Sequence, residues 1–188
     1  HASGFIALVA PLVRAGLISP DARLGCFSLT GYSGGGKKMI ADYEAEGRDS
    51  LLDAPRQYGL TQRHKHLKEM TALCGLDHAP TFCPIVADYY SGMVVSVPLH
   101  RRFLKGTPSI EEIHAMFTEH YANQQFIKVR ALQGTDVLEN GFLPANTTFL
   151  LSCYHSRNTL ALSSGIKANV AICLILPPLV RMAGLCYF

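Results

Sequence analysis

Residues 80–100, PTFCPIVADYYSGMVVSVPLH, restrict the possible folds more than any other part of this chain. They are rich in β-branched and aromatic side chains, which suit a pleated backbone, and Ser91-Gly92 interrupts them. The segment reads as one or two strands with a break at that dipeptide. In IVADYY and MVVSVPL, apolar residues fall on both faces, and FIKVRAL (126–132) reads as another strand. A sheet that is apolar on both sides needs cover on both. Helices from a 188-residue chain can supply one layer, which leaves the second face for another copy, as a homodimer or homotetramer.

The helices to form that layer are visible. Residues 2–17, ASGFIALVAPLVRAGL, are apolar nearly all round, the pattern of a buried helix, with Pro11 inside as a potential kink. RLGCFSLT (23–30) reads as a strand, GYSGGG as a loop, and 37–46 as a short helix. HLKEMTALCG (66–75) reads as a helix stopped by Gly75. SIEEIHAMFTEHYAN (109–123) is amphipathic and opens with a Ser109-x-x-Glu112 capping box. The order of elements predicts an α+β fold, a mixed sheet with helices packed on one face.

Composition excludes some functions. Net charge is +3, with Lys and Arg scattered among Asp and Glu, so a nucleic-acid partner is not implied. The apolar last 19 residues are interrupted by Pro177, Pro178 and Arg181, which argues against a membrane span. The six cysteines, Cys26, Cys74, Cys83, Cys153, Cys173 and Cys186, form no Cys-x-x-Cys pair, and reduced thiols in a cytoplasmic protein are expected. The chain opens on His1 in the middle of a helical pattern, which reads as a fragment.

Three places could carry chemistry. Gly31-Tyr-Ser-Gly-Gly-Gly-Lys-Lys38 contains Gly-x-x-x-x-Gly-Lys, but Lys38 stands where an ATP-binding loop needs a Ser or Thr hydroxyl for magnesium. Two readings remain. The backbone at Ser33, Gly34, Gly35 and Gly36 approaches an anion or planar ring, or it makes a tight strand-to-helix turn with no ligand. The second place is RHKHLKEM. His66 and Glu69, three apart on the first helical turn, suit an imidazole acid/base oriented by a carboxylate; a solvated His64/His66 pair is the alternative. A metal site drawn from His64, His66, Cys74, His78 and Cys83 has no standard zinc spacing, so no metal is expected. The third place is the start of the first helix, Ala2-Ser3-Gly4, where the helix dipole would favour a thiolate just ahead of it.

In this order, the three places resemble the N-acetyl-γ-glutamyl-phosphate reductase family, in its shorter-loop bacterial subgroup. TGYSGGGKK fits that family's Ser/Thr-Gly-x-Ser-Gly-(Ala/Gly)-Gly loop. HKHLKE fits its His-(Arg/Lys)-His-x-Pro-Glu motif, with Lys68 replacing Pro. FCPIVADYYSGMVVSVPLH and GFLPAN resemble later stretches. The resemblance covers roughly 1–147 and implies a catalytic and dimerisation domain like those of glyceraldehyde-3-phosphate and aspartate-semialdehyde dehydrogenases. The Rossmann NADP-binding domain is missing from the chain. It also implies a cysteine nucleophile immediately before His1, NADPH as hydride donor, and N-acetyl-glutamyl phosphate as substrate. His66 would be the acid/base, with His64 and Glu69 beside it, and Ser33 to Gly36 would face cofactor or substrate. Arg63 and Lys65 would attract phosphate or serve as surface charges. The chain on its own is expected to be inactive. A related semialdehyde dehydrogenase, or a non-catalytic dimerisation remnant, are the other readings. Residues 148–188 do not follow the family pattern, which has a Gly-Lys-Gly-Ala-Ser-Gly helix there, and they are set apart as a divergent C-terminal segment.

Overall fold

The computed structural model describes residues 1–100, 103–124, 127–132, 149–156, 159–163 and 170–175. GFLPAN lies outside the described residues. The helices are α1 (Ala2–Arg14), α2 (Gly36–Glu44), α3 (His66–Cys74) and α4 (Ile110–His120). The strands are β1 (Gly25–Gly31), β2 (Arg56–Gln57), β3 (Thr81–Ala87), β4 (Met93–Pro98), β5 (Ile127–Val129), β6 (Phe149–Ser156), β7 (Thr159–Ser163) and β8 (Val170–Ile175). They make one mixed sheet in the order β2-β3-β1-β4-β8-β6-β5, with β7 paired to β6.

The 80–100 segment is a strand pair broken where Ser91-Gly92 predicts, but the two halves do not pair with each other. β1 lies between them, parallel to β3 and antiparallel to β4. β1 places Cys26, Ser28 and Thr30 on the covered face, with Phe82, Val86, Val95 and Val97 also buried. α1, α3 and α4 lie on that face, where Phe5, Leu8 and Leu12 of α1, Met70 of α3, and Ile113 and Phe117 of α4 join the same core. The opposite face carries Phe27 next to Cys83 and Ser96, and Leu29 next to Ile85 and Val94. Phe27 is 48% exposed and Leu51, Leu60 and Leu73 are also open to solvent. The prediction of helices on one face of a mixed sheet holds.

Helix ends follow local chemistry. α4 has its full capping box: the amide of Ser109 donates to Glu112 Oε2 at 2.6 Å and the amide of Glu112 to Ser109 Oγ at 3.2 Å. α3 ends at Gly75, whose φ of 68° is left-handed. α1 stops at Arg14, three residues short of the 2–17 pattern. Gly16 turns left-handed at φ 71°, and the amides of Leu17 and Ile18 both bond back to the carbonyl of Leu12. Pro11 remains inside α1. Its ring nitrogen has no hydrogen for the Ala7 carbonyl four residues back. Tyr121, at the end of α4, fills that gap: its hydroxyl donates to Ala7 O at 2.8 Å.

Candidate functional site

α1 begins above the middle of β1, and α3 begins beside it. His1 stands at the entry to α1, and its side chain reaches down to the sheet. Nδ1 lies 2.5 Å from the hydroxyl of Ser28, and Nε2 lies 2.8 Å from the hydroxyl of Tyr58. Ser28 has no exposed surface. Its hydroxyl therefore needs an internal partner, and His1 provides one.

The histidine motif is held against the same spot. Gln62 is one of two non-glycine residues with positive φ among those described, at 54°. Its side-chain amide pairs with both backbone groups of Phe82: Nε2 donates to the carbonyl at 2.7 Å, and Oε1 accepts from the amide at 2.9 Å. This pins the loop before α3 to β3. His64 then accepts from the amide of His66 through Nδ1 at 3.3 Å, which satisfies one of the free amides at the start of α3. His66 opens the helix, with its ring 4.7 Å from that of His64 and 5.6 Å from that of His1. The Nδ1 atom of His66 is buried without a hydrogen-bond partner.

Both imidazoles titrate below their ordinary range. For His66 burial is the main cause, with His64 and Lys65 acting in the same direction; Glu69 acts in the opposite direction. For His64 burial again leads, followed by Lys65. Burial also raises the hydroxyl of Tyr58. An imidazole with an unpartnered nitrogen, next to groups whose titration is displaced, is suited to pass a proton on and take it back.

Glu69 sits on the first turn of α3 as the spacing predicts, and it acts on His66 through charge, with no hydrogen bond to Nδ1. Arg63 and Lys65 are exposed at the edge of a cavity of about 770 Å³ that His64, Lys68 and Thr71 also line. Among the described residues, no group of three His, Cys, Asp or Glu side chains is placed to hold a metal ion. Cys26 and Cys74 are buried, and burial pushes both thiols up to about 12, so neither is a ready nucleophile. No helix among the described residues is long and apolar enough to cross a membrane.

The glycine loop follows β1 as a single 3-10 turn over Tyr32–Gly35. Its first amides are already bonded: Tyr32 and Ser33 donate to the carbonyls of Tyr89 and Tyr90 at 3.0 and 2.9 Å. A β-carbon at Gly31 would stand 2.5 Å from the Tyr89 carbonyl oxygen, so only glycine allows this approach. Gly34, Gly35 and Gly36 are exposed, and a β-carbon at Gly36 would meet nothing within 4 Å. Lys38 pairs with Asp42 at 3.0 Å on the outer side of α2.

The residues that sequence reasoning missed are His1, Ser28 and Tyr58. The available signal was Ser28, a polar residue at an inward position of the apolar strand RLGCFSLT.

A mixed sheet with helices on one face is consistent with the dimerisation domain of a semialdehyde dehydrogenase. The family described as "Semialdehyde dehydrogenase, dimerisation domain" matches residues 1–148, and the chain belongs to it. Among its curated relatives are proteins named N-acetyl-gamma-glutamyl-phosphate reductase from Brucella ovis, Brucella anthropi and Brucella canis. Each is 41% identical over 134 residues, which is 71% of this chain and 43% of the relative. The chain thus spans less than half the length of the curated relatives it matches.

Proposed function

We propose that this chain is the catalytic and dimerisation portion of an N-acetyl-γ-glutamyl-phosphate reductase. The enzyme would reduce an acyl phosphate to its semialdehyde, with release of phosphate. The observation that carries the reading is His66: its Nδ1 is buried and unpartnered, while Nδ1 of its neighbour His64 is taken up by the start of α3. That difference favours His66 over His64 as the acid/base group.

In this reading a thiolate ahead of His1 attacks the acyl carbon, and the carbon–oxygen bond to phosphate breaks to leave a thioester. NADPH, bound by a separate domain, supplies hydride. His66 donates a proton to the oxygen that gains charge and takes it back as the carbon–sulfur bond breaks. Burial lowers its titration range, so its imidazolium gives up a proton readily. Glu69 favours the protonated form through charge. Ser33 and the exposed Gly34 and Gly36 offer backbone for close approach of a planar ring or a phosphate, while Gly35, also exposed, has the Met39 side chain against it. The open sheet face around Phe27 fits a second copy, as a homodimer or homotetramer, and a cytoplasmic setting agrees with the reduced thiols.

The test uses this domain joined to its hydride-carrying domain. His66→Asn should lower kcat by about 10²–10⁴-fold, Glu69→Gln by less, and His64→Asn by the least. Equal, wild-type rates for all three would refute the assignment. Activity on a different semialdehyde's acyl phosphate only would point to a sister enzyme of the same architecture.

A further inference from the structure

We propose that His1 is a positioning residue for His66, fixed at both ring nitrogens by the hydroxyls of Ser28 and Tyr58. The proposal rests on the reading of His66 as the acid/base.

Nothing hydrogen-bonds to Nδ1 of His66. The orientation of that ring therefore depends on what it packs against. The neighbours are His1, with ring centroids 5.6 Å apart at 53°, and His64, at 4.7 Å and 50°. His64 is itself packed edge-on against His1 at 5.9 Å, and both rings meet Phe82, at 5.3 Å for His1 and 5.1 Å for His64. His1 is thus the common wall of the pair.

Its own ring does not turn freely. Ser28 projects from β1 and Tyr58 follows β2, so the two clamps come from different parts of the sheet. A hydroxyl can donate or accept. The clamp therefore holds either neutral tautomer of His1, and it holds the imidazolium as well, with both nitrogens donating. The wall keeps its shape while a proton comes and goes on the ring beside it. The charged side chains acting on His66 are His64, Lys65 and Glu69; none of them forms this clamp.

The first test is nitrogen-15 NMR of the imidazoles through a pH titration of this chain. Ser28→Ala and Tyr58→Phe each remove one clamp and leave His1, His64 and His66 in place. Both variants should shift the His66 titration midpoint and broaden its resonances while backbone dispersion stays native. An unchanged His66 titration in both folded variants overturns the proposal, whatever the enzyme does. The second test is kinetic, in the chain joined to its hydride-carrying domain. His1→Phe should lower kcat by about ten- to a hundredfold, the scale of a small misplacement of a reacting group, with KM little changed. A rise in KM with unchanged kcat overturns it. Absence of acyl-phosphate reduction in the wild type would sink the functional reading and leave the NMR result to decide the positioning role.

Discussion

Tyr121→Phe removes one oxygen and should destabilise the protein far more than a surface change. The Ala7 carbonyl is buried within α1, its usual donor is missing because position 11 is proline, and the Tyr121 hydroxyl supplies the replacement at 2.8 Å. Leaving a buried acceptor unpaired costs about 1–3 kcal/mol. For a domain of this size each kcal/mol lowers Tm by roughly 2–4 °C. The clean assay is urea denaturation with a double-mutant cycle. Pro11→Ala restores an amide hydrogen for Ala7, so Tyr121→Phe should cost about 1 kcal/mol less in that background. Burial pushes the Tyr121 hydroxyl up to about 12, so the donor is intact at neutral pH. Its contribution is complete below the unfolded value near 10 and fades as pH rises from there towards 12. A cost under about 0.5 kcal/mol, or no coupling to position 11, would refute the reasoning.

Phe27→Asp places a charge in the open sheet face and should turn a self-associated species into a monomer by light scattering; a strictly monomeric wild type at high concentration would contradict the expectation. Iodoacetamide at pH 8 should label the partly exposed Cys83 well before Cys26 and Cys74, with peptide mapping as the readout; equal rates would contradict the burial argument. Because His64 and His66 titrate low when folded, the unfolded chain takes up protons first, near pH 6.5. Stability should be full above that pH and fall below it, and His64→Asn/His66→Asn should flatten the Tm profile between pH 7 and 5.5.

Much of the fold was legible where the signal is local. The Ser109–Glu112 box, the Gly75 stop and the break at Ser91-Gly92 each depend on residues within one turn, and each stands where it was read. The end of α1 was placed too late because apolar residues continue through Leu17, whereas the left-handed backbone at Gly16 decides the stop. The pairing of β3 and β4 with β1 rather than with each other was not legible, since register is set by tertiary packing. In the site, HKHLKE announced itself by composition. His1, Ser28 and Tyr58 did not, because their hydrogen bonds join residues 27 and 57 positions apart.

The placement of α1 bears on how the chain is assembled. This helix leaves the ribosome before the elements that cover it, for Met70 of α3, Val95 of β4 and Phe117 of α4 all share its core cluster. Its last clasp, from Tyr121, arrives 114 positions later. A 13-residue helix with nine buried residues between Ala2 and Leu12 must therefore wait uncovered until those elements are made. Contacts this distant in sequence slow folding and leave apolar surface open to wrong partners. The helix that sets the candidate site in place therefore also needs protection during synthesis.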